Sequence, residues 1–521
     1  MTPASHRTTP PAGLSAAIAA EFSWPAQWAA VPERWQVPVY RVDAPECRDV
    51  FLQNKYYIGT TRDFTPQDTP PRFGQEIAWW VWLCWNDGLR KIEPSLLKWC
   101  GQALSGACAG FLAEHGRPPA SITELRVEAV IRQALLQFEH RNRRLPSAGA
   151  RRNIVHLIEQ LHLYLTVRCT DRSWWQHDIW DLRADPRIPQ RPHEPQHQMS
   201  ARLDRIEPVW LREGARFWLR ISLSTELLRW SSVPARAATL ARHLGPFLLA
   251  GGHHDDPVLA DDPAQLRLIF TEFSSWLRSP AASARPGTRL SPSAIDTTQS
   301  QTQVFYTFMA DHAAEAAAAT GIARWGEVTA SHTRLWGPAF RTRRAHRTRE
   351  LAWYSTADLQ HMLCYLDVLA ADRAAHVTIT HPDNTISMVA GLGDPQSART
   401  WLLQALTGRR ASEILMLDFD PIEPLSAAAA PAGGVDPSAF VAKLRYQQTK
   451  VDGVVPTILI EQAVLNVIRE QQQWISDTYP GLTPRYLFLS VRNHHQGQRH
   501  RPYQAYRTSL GTLDRIHGLA D

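Results

Sequence analysis

The 521-residue chain has few cysteines and no long apolar run, and each shortage excludes a class of protein. None of its six cysteines belongs to a Cys-x-x-Cys pair or has a zinc-ligand spacing, which predicts reduced, mostly buried thiols and no metal site. The longest apolar run, residues 77–85, is far too short to cross a bilayer. The N-terminus carries proline and threonine where a signal peptide has a charged region and an apolar core. These shortages predict a cytoplasmic protein that is neither secreted nor embedded in a membrane.

Size and charge set the next limits. The chain has room for three or four domains of ordinary size, and 44% of its residues are hydrophobic, which is enough for real cores. The net charge is only +6, but the isoelectric point is about 9.1 and arginine is concentrated in particular stretches. Such stretches favour a polyanionic partner.

The first part of the chain predicts an arm followed by a helical domain. Residues 1–74 hold scattered aromatics among many prolines without a sustained period, which indicates an irregular N-terminal arm. In residues 75–170 apolar side chains recur at helical spacing, as in Ile77, Trp80, Val81 and Cys84. Arginines at 141, 143 and 144 lie between two of these helices, and Arg151 and Arg152 open the last helix. Either they are a solvated helix end or they contact a DNA backbone, and both interpretations stay open.

A second helical domain follows a connector. Residues 171–204 contain four prolines interleaved with histidine and glutamine, which predicts an extended linker. In residues 205–350, Ser232 and Pro234 have the form of a helix start, and apolar residues follow at helical spacing. The Ser-, Thr-, Pro- and Gln-rich stretch 281–303 predicts a loop.

The densest cationic run closes this domain. Residues 341–349 contain one histidine, no acid and five arginines, namely Arg341, Arg343, Arg344, Arg347 and Arg349. Such runs are often only exposed loops. Because this one joins two domains, contact with a DNA backbone is the favoured interpretation.

Residues 351–521 predict a third domain that combines helices with a small sheet. Segments 440–447 and 454–460 have strand character and are joined by a turn that contains Lys450. Pro456 restricts the second segment to a sheet edge. A helix is predicted from Glu461 to about Ile475. The predicted fold class is therefore mainly α with a small β-hairpin or sheet.

The chemistry is concentrated in residues 406–417. An apolar helix is predicted to break at Thr407-Gly408 and to restart at once, with Arg410 in the first turn of the second helix. A cation has the wrong sign for a helix N-terminus unless an anion is expected there, and arginine with free amides forms a phosphate site. Lys450 is most simply a solubilising turn lysine. Beside an arginine-bound phosphate it could instead act as a general acid.

These residues resemble the tyrosine recombinases, or phage-type integrases. That family carries a Thr-Gly-x-Arg-x-Ser-Glu-(Ile/Leu)-x-x-Leu box, matched by Thr407, Gly408, Arg410, Ser412, Glu413, Ile414 and Leu417. It also carries a β-hairpin lysine shortly before a Val-Pro strand, and Lys450 with Val455-Pro456 is similar to it. The helical domain at 205–350 is similar to the family's core-binding domain. The resemblance implies that a partial α+β catalytic domain follows it.

The resemblance also implies roles. Arg410 would bind the scissile phosphate, and Lys450 would protonate the departing 5′ oxygen. Glu413, with Thr407 and Gly408, would support the arginine structurally. In the family a tyrosine forms a 3′-phosphotyrosyl bond, so neither metal nor other cofactor is needed. The implied partner is double-stranded DNA, bound by a tetramer on paired sites.

The sequence departs from the family near its end. A His-x-x-Arg box, a further His or Trp and the nucleophilic tyrosine are expected, but the cluster of His494, His495, Arg499, His500 and Arg501 lacks the His-x-x-Arg spacing. Tyr503 and Tyr506 follow too soon after it. The catalytic domain is therefore expected to be incomplete at its C-terminus. The tail, with five arginines and no acid from 485 to 513, is expected to face DNA through Arg499 and Arg501.

Three functions stay open on these grounds. The first is a site-specific recombinase or integrase of a mobile element. The second is a catalytically inactive DNA-binding protein that retains the recombinase scaffold. The third and weakest is a helical scaffold that binds protein partners through some of its 20 tryptophans.

Overall fold

The computed structural model describes residues 21–53, 55–191, 194, 198–336, 363–380, 384–425, 440–447, 455–491 and 493–517. The chain is mainly helical and carries small antiparallel sheets, as the sequence predicted. It divides into two compact units. The first unit comprises Met1–Gln190 and Gln198–Thr342, and the second comprises Arg191–His197 and Arg343–Asp521.

The first hydrophobic core of the first unit is built by helices and one short strand pair. The elements are α1 (Trp24–Ala29), β1 (Val39–Arg41), β2 (Thr61–Asp63), α2 (Pro71–Asn86), α3 (Pro94–His115), α4 (Val127–Asn142) and α5 (Ala148–Arg168). Strands β1 and β2 are antiparallel. The described part of the predicted N-terminal arm belongs to this core, because Trp35, Tyr40, Phe51 and Phe64 are all buried in it. Their spacing has no period because turns and short strands, rather than a helix, carry them inward.

A second core in the same unit includes part of the predicted connector, because Trp180, Ile188 and Ala201 are buried in it. Its elements are β3 (Ile179–Asp181), β4 (Ser200–Arg202), α6 (Val209–Ser224), α7 (Val233–Thr239), α8 (Gly245–Ala250), α9 (Pro263–Arg278), α10 (Pro292–Asp311) and α11 (Ala313–Thr320). Strands β3 and β4 pair antiparallel, so the two ends of the proline-rich connector are joined by a ladder. Pro234 lies in the first turn of α7, where the sequence placed it.

The predicted loop at 281–303 is wrong over its second half, because α10 begins at Pro292. Ser291 caps the helix by accepting a hydrogen bond from the Ala294 amide. The Thr298 and Thr302 hydroxyls donate to carbonyls four residues back, and both side chains are buried. The buried Gln299 donates to the Ser274 hydroxyl on α9 at 2.8 Å. Polar composition suggested a loop, but these side chains find their partners inside the fold.

The second unit contains a three-stranded sheet and the helices around it. Its elements are α12 (Leu366–Ala370), β5 (His376–Thr380), β6 (Ile386–Ala390), α13 (Pro395–Thr407), α14 (Ala411–Leu415), β7 (Ile422–Glu423), β8 (Phe440–Arg445), β9 (Thr457–Glu461), α15 (Gln462–Thr478) and α16 (Tyr503–His517). The sheet order is β7-β8-β9, all antiparallel, so β9 is an edge strand, as Pro456 predicted. Both predicted strands are shorter than expected. Helix α15 buries Val464, Val467, Ile468 and Gln471, as its periodicity predicted.

Candidate phosphate-binding site

The bend between α13 and α14 is set by a glycine. Helix α13 ends at Thr407, and Gly408 adopts a left-handed conformation with φ of 65°. Its amide donates to the Gln404 carbonyl at 2.9 Å. An added Cβ would meet no atom within 4 Å, so conformation rather than space requires glycine here. The break and restart predicted from the sequence are therefore confirmed.

Arg410 is the N-cap of α14, one position before the turn in which it was predicted. Its amide donates to Glu413 Oε2 at 3.1 Å, and its Nη1 donates to Glu413 Oε1 at 2.8 Å. Glu413 is only 2% exposed, whereas 57% of the Arg410 side chain is exposed. The charge that compensates the helix start is thus the Glu413 carboxylate. An incoming anion would meet the exposed part of the guanidinium rather than a free helix terminus.

A second arginine joins this bend to the sheet. Arg409 Nη1 donates to the Tyr446 hydroxyl at 2.8 Å, and the guanidinium lies over the Tyr446 ring at 5.1 Å. Its Nε donates to the Thr407 carbonyl at 3.3 Å. Sequence reasoning missed Arg409, because its partner lies 37 residues away.

Tyr446 also closes the base of the β8–β9 connection. Its amide donates to the Pro456 carbonyl at 3.1 Å, directly ahead of β9. Lys450 lies outside the described residues and follows Gln447 by three positions. The described chain before Lys450 therefore reaches the bend that carries Arg410 through the contact between Tyr446 and Arg409.

Substituting Tyr446 with phenylalanine tests the contact with Arg409. Tyr446 is 4% exposed, so the change keeps its packing and removes the hydroxyl that accepts from Arg409. We expect a loss of about 0.5–1.5 kcal/mol in unfolding free energy. We also expect the backbone amide of residue 446 to exchange its hydrogen faster in the variant than in the parent protein. Equal exchange in Tyr446→Phe and the parent protein would contradict a role for this bond in closing the hairpin base.

Arg501 does not occupy the DNA-facing position predicted for it. The residue is 4% exposed, and its Nη2 donates to Asp394 Oδ2 at 2.5 Å and to the Ser397 hydroxyl at 2.9 Å. Asp394 also caps α13 through the Ser397 amide. Burial lowers the pKa of Arg501, and Asp394 acts in the opposite direction. The arginine thus fixes the segment before α16 to the start of α13, and no DNA contact is available to it while it is buried.

The two tail tyrosines differ in exposure. Tyr503 is 39% exposed, whereas Tyr506 is 3% exposed and its hydroxyl donates to Gln404 Oε1 at 2.5 Å. Burial raises the pKa of Tyr506 well above its ordinary value, which is unfavourable for a phenolate nucleophile. Arg499 is half-buried, and its backbone bonds to Ser490 and His494 in the turn before α16.

The other arginines predicted to contact DNA belong to the run at 341–349. Arg341, Arg343, Arg344, Arg347 and Arg349 lie outside the described residues. In the part that is described, no group of three or more His, Cys, Asp and Glu side chains is arranged to hold a metal ion. Nor does any helix there have the length and apolar character needed to cross a membrane.

Comparison of the chain with protein-family models, with curated proteins and with solved structures found no match.

Proposed function

We propose that the chain is a site-specific DNA recombinase of the tyrosine recombinase type, from a mobile element, and that Arg410 binds the scissile phosphate. One observation carries the proposal. Within a seven-residue match to the family's box, Arg410 is exposed, is held by the buried Glu413, and lies two residues after the left-handed Gly408. A guanidinium fixed in this way offers its remaining donors to the oxygens of a phosphate.

Lys450 is the second part of the proposed site. Its role would be to protonate the 5′ oxygen as that oxygen leaves phosphorus. The contact between Arg409 and Tyr446 supports this role, because it brings the residue after β8 to the bend between α13 and α14. On this proposal the protein works in the cytoplasm as a tetramer on paired duplex sites, without metal or cofactor.

A second candidate function is a DNA-binding protein that retains the scaffold without the chemistry. The burial of Tyr506 and its bond to Gln404 favour this alternative, because neither suits a nucleophile. Both functions require duplex DNA binding, and they differ only in whether a phosphotyrosyl bond forms.

A nicked suicide substrate distinguishes the two functions. Duplexes that bind the protein are first selected from a random-sequence pool. The selected site is then synthesised with nicks close to each phosphate in turn, so that the cleaved strand's end diffuses away and the covalent product accumulates. A denaturation-resistant protein–DNA adduct supports the recombinase. Specific binding without any adduct supports the inactive DNA-binding protein, and no sequence preference for duplex DNA contradicts both.

Neutralising Arg343, Arg344 and Arg347 to glutamine is expected to reduce the salt dependence of duplex affinity. Three lost phosphate contacts should lower the slope of log K against log[salt] by roughly 2.7, because each contact contributes about 0.9. Affinity measured by fluorescence anisotropy over a series of salt concentrations gives the slope. The matched control converts the exposed Arg267, Arg285 and Arg289 to glutamine, with the same change in net charge. An unchanged slope in the first variant would place the 341–349 run outside the interface.

A further inference from the structure

A groove of about 870 Å³ lies in the first unit, beside α3 and α4. Residues of the β2–α2 connection form its other side. Its lining includes Asp63, Lys98, Trp99, Gln102, Gln137 and Arg141. The volume is in the range of small-molecule sites. The lining combines an aromatic ring, amides and two cations with one carboxylate, Asp63, which accepts a hydrogen bond from the Thr65 amide.

Arg141 also belongs to a basic surface on the connection between α4 and α5. We call the set of Arg141, Arg143, Arg144, Arg151 and Arg152 the arginine turn. All five are exposed, and no acidic residue occurs between His140 and Ile158. Within the described part of the chain, none of the five forms an ion pair with a carboxylate. Five guanidiniums at the facing ends of two successive helices and on their connection repel one another, and a polyanion would relieve that repulsion.

The connection has a defined shape. Arg143 ends α4 in a left-handed conformation with φ of 54°, and its amide donates to the Glu139 carbonyl at 2.8 Å. Ser147 caps α5 by accepting from the Ala150 amide at 3.2 Å. These bonds shape the connection that carries Arg143 and Arg144. Arg141 lies in the last turn of α4, and Arg151 and Arg152 lie near the start of α5.

Trp99 is held in a fixed orientation in the groove. Its ring packs edge-on against Phe138, with centroids 5.1 Å apart and planes at 86°. Beside it Gln137 donates to the Gln102 carbonyl at 2.9 Å, and its buried Oε1 has no partner among the described residues. The groove therefore offers an aromatic wall and an amide acceptor next to the cations Lys98 and Arg141.

We propose that the groove and the arginine turn together bind single-stranded DNA. One unpaired base occupies the groove against Trp99, and the phosphates that flank it lie on the arginine turn. A base within a duplex is stacked on both faces and cannot enter a groove of this kind, so the strand must be unpaired there. Aromatic stacking next to basic residues is the general means of holding single strands. The choice of DNA over RNA rests on the proposed function.

The test measures the affinity of a fluorescein-labelled 12-nucleotide thymidine oligomer and of a duplex control by anisotropy. Trp99→Ala is expected to weaken oligomer binding about tenfold, which is the scale of one base–aromatic stack. Duplex affinity is expected to stay within about twofold. Lys98→Gln, at an exposed position of the groove, is expected to act in the same direction and guards against a folding defect of the tryptophan variant.

A variant in which Arg143, Arg144 and Arg152 are replaced by glutamine tests the arginine turn. The salt slope for the oligomer is expected to fall by roughly 2, at about 0.7 for each single-strand phosphate contact. The variant with Arg267, Arg285 and Arg289 converted to glutamine should retain the parent slope. Equal losses on oligomer and duplex in Trp99→Ala and Lys98→Gln would overturn the proposal, and so would unchanged oligomer binding. Tighter binding of a uridine oligomer would overturn the choice of DNA.

The experiments distinguish failure of the recombinase function from failure of the single-strand site. If the selection yields no preferred duplex but the oligomer still depends on Trp99 and the arginine turn, the single-strand site stands and the recombinase does not.

Discussion

Arg410→Ala is expected to lower the rate of covalent adduct formation on the nicked duplex about 10³-fold, while duplex affinity changes less than tenfold. The guanidinium would stabilise charge on the phosphate oxygens as the pentacoordinate transition state forms, and arginines in this role contribute roughly 10³ or more. Ground-state affinity would be shared with many other phosphate contacts, so it falls much less. Single-turnover adduct formation at saturating protein measures the first quantity, and anisotropy measures the second.

The matched control is Arg445→Ala. Arg445 lies on β8 in the same unit, is paired with Glu423 at 3.3 Å, and loses the same charge on substitution. It should leave the rate of adduct formation within a few-fold of the parent. When the parent protein forms a measurable amount of adduct, an equal rate for Arg410→Ala would remove Arg410 from the active site.

A neutral phosphate tests Arg410 without requiring a nucleophile. A methylphosphonate is placed at each position of the selected duplex in turn. One position is expected at which neutralisation weakens binding of the parent protein about tenfold but does not affect Arg410→Ala, because a charge-assisted hydrogen bond of about 1.5 kcal/mol is then absent from both. If every position behaves alike in the two proteins, Arg410 has no phosphate partner. The inactive DNA-binding alternative predicts this coupling as well, so the measurement concerns the site rather than the chemistry.

The sequence predicted the local features of the site better than the long-range ones. The helix break at Gly408 and the burial of Ile414, Leu415 and Leu417 follow from glycine conformation and apolar spacing, which act over a few residues. The contact between Arg409 and Tyr446 joins residues 37 apart, and no local pattern announces it.

Arg501 is a case in which a local pattern led to a wrong prediction because its partner is distant in the chain. In the sequence it stands in a basic, acid-free stretch, so DNA contact was the simplest prediction. Its compensating carboxylate is Asp394, 107 residues earlier, and only the fold brings the two together. A count of charges within a window cannot identify an arginine whose partner is distant in the chain.

Gly214→Ala is the second substitution with a large expected effect, and here sequence and structure predict opposite signs. Gly214 lies inside α6, where glycine costs about 1 kcal/mol relative to alanine, so propensity alone predicts that alanine stabilises the protein. In the structure an added Cβ would lie 2.6 Å from Trp325 Cζ2 and 3.3 Å from Phe305 Cζ. Both rings are fully buried, so neither has free space to move into.

We therefore expect Gly214→Ala to lower the unfolding free energy by about 1–3 kcal/mol, the usual cost of forcing an extra carbon into a packed core. Hydrogen exchange of the α6 amides over a series of urea concentrations gives the difference for this core, because the fluorescence of 20 tryptophans would combine signals from several cores. Gly326→Ala is the matched control next to Trp325. Its added Cβ would meet only Ala317 Cβ, at an ordinary 3.7 Å, and should change stability by less than about 0.5 kcal/mol. A stabilised Gly214→Ala protein would mean that Trp325 yields to a methyl group, and that the contact between α6 and this ring does not determine the residue at 214.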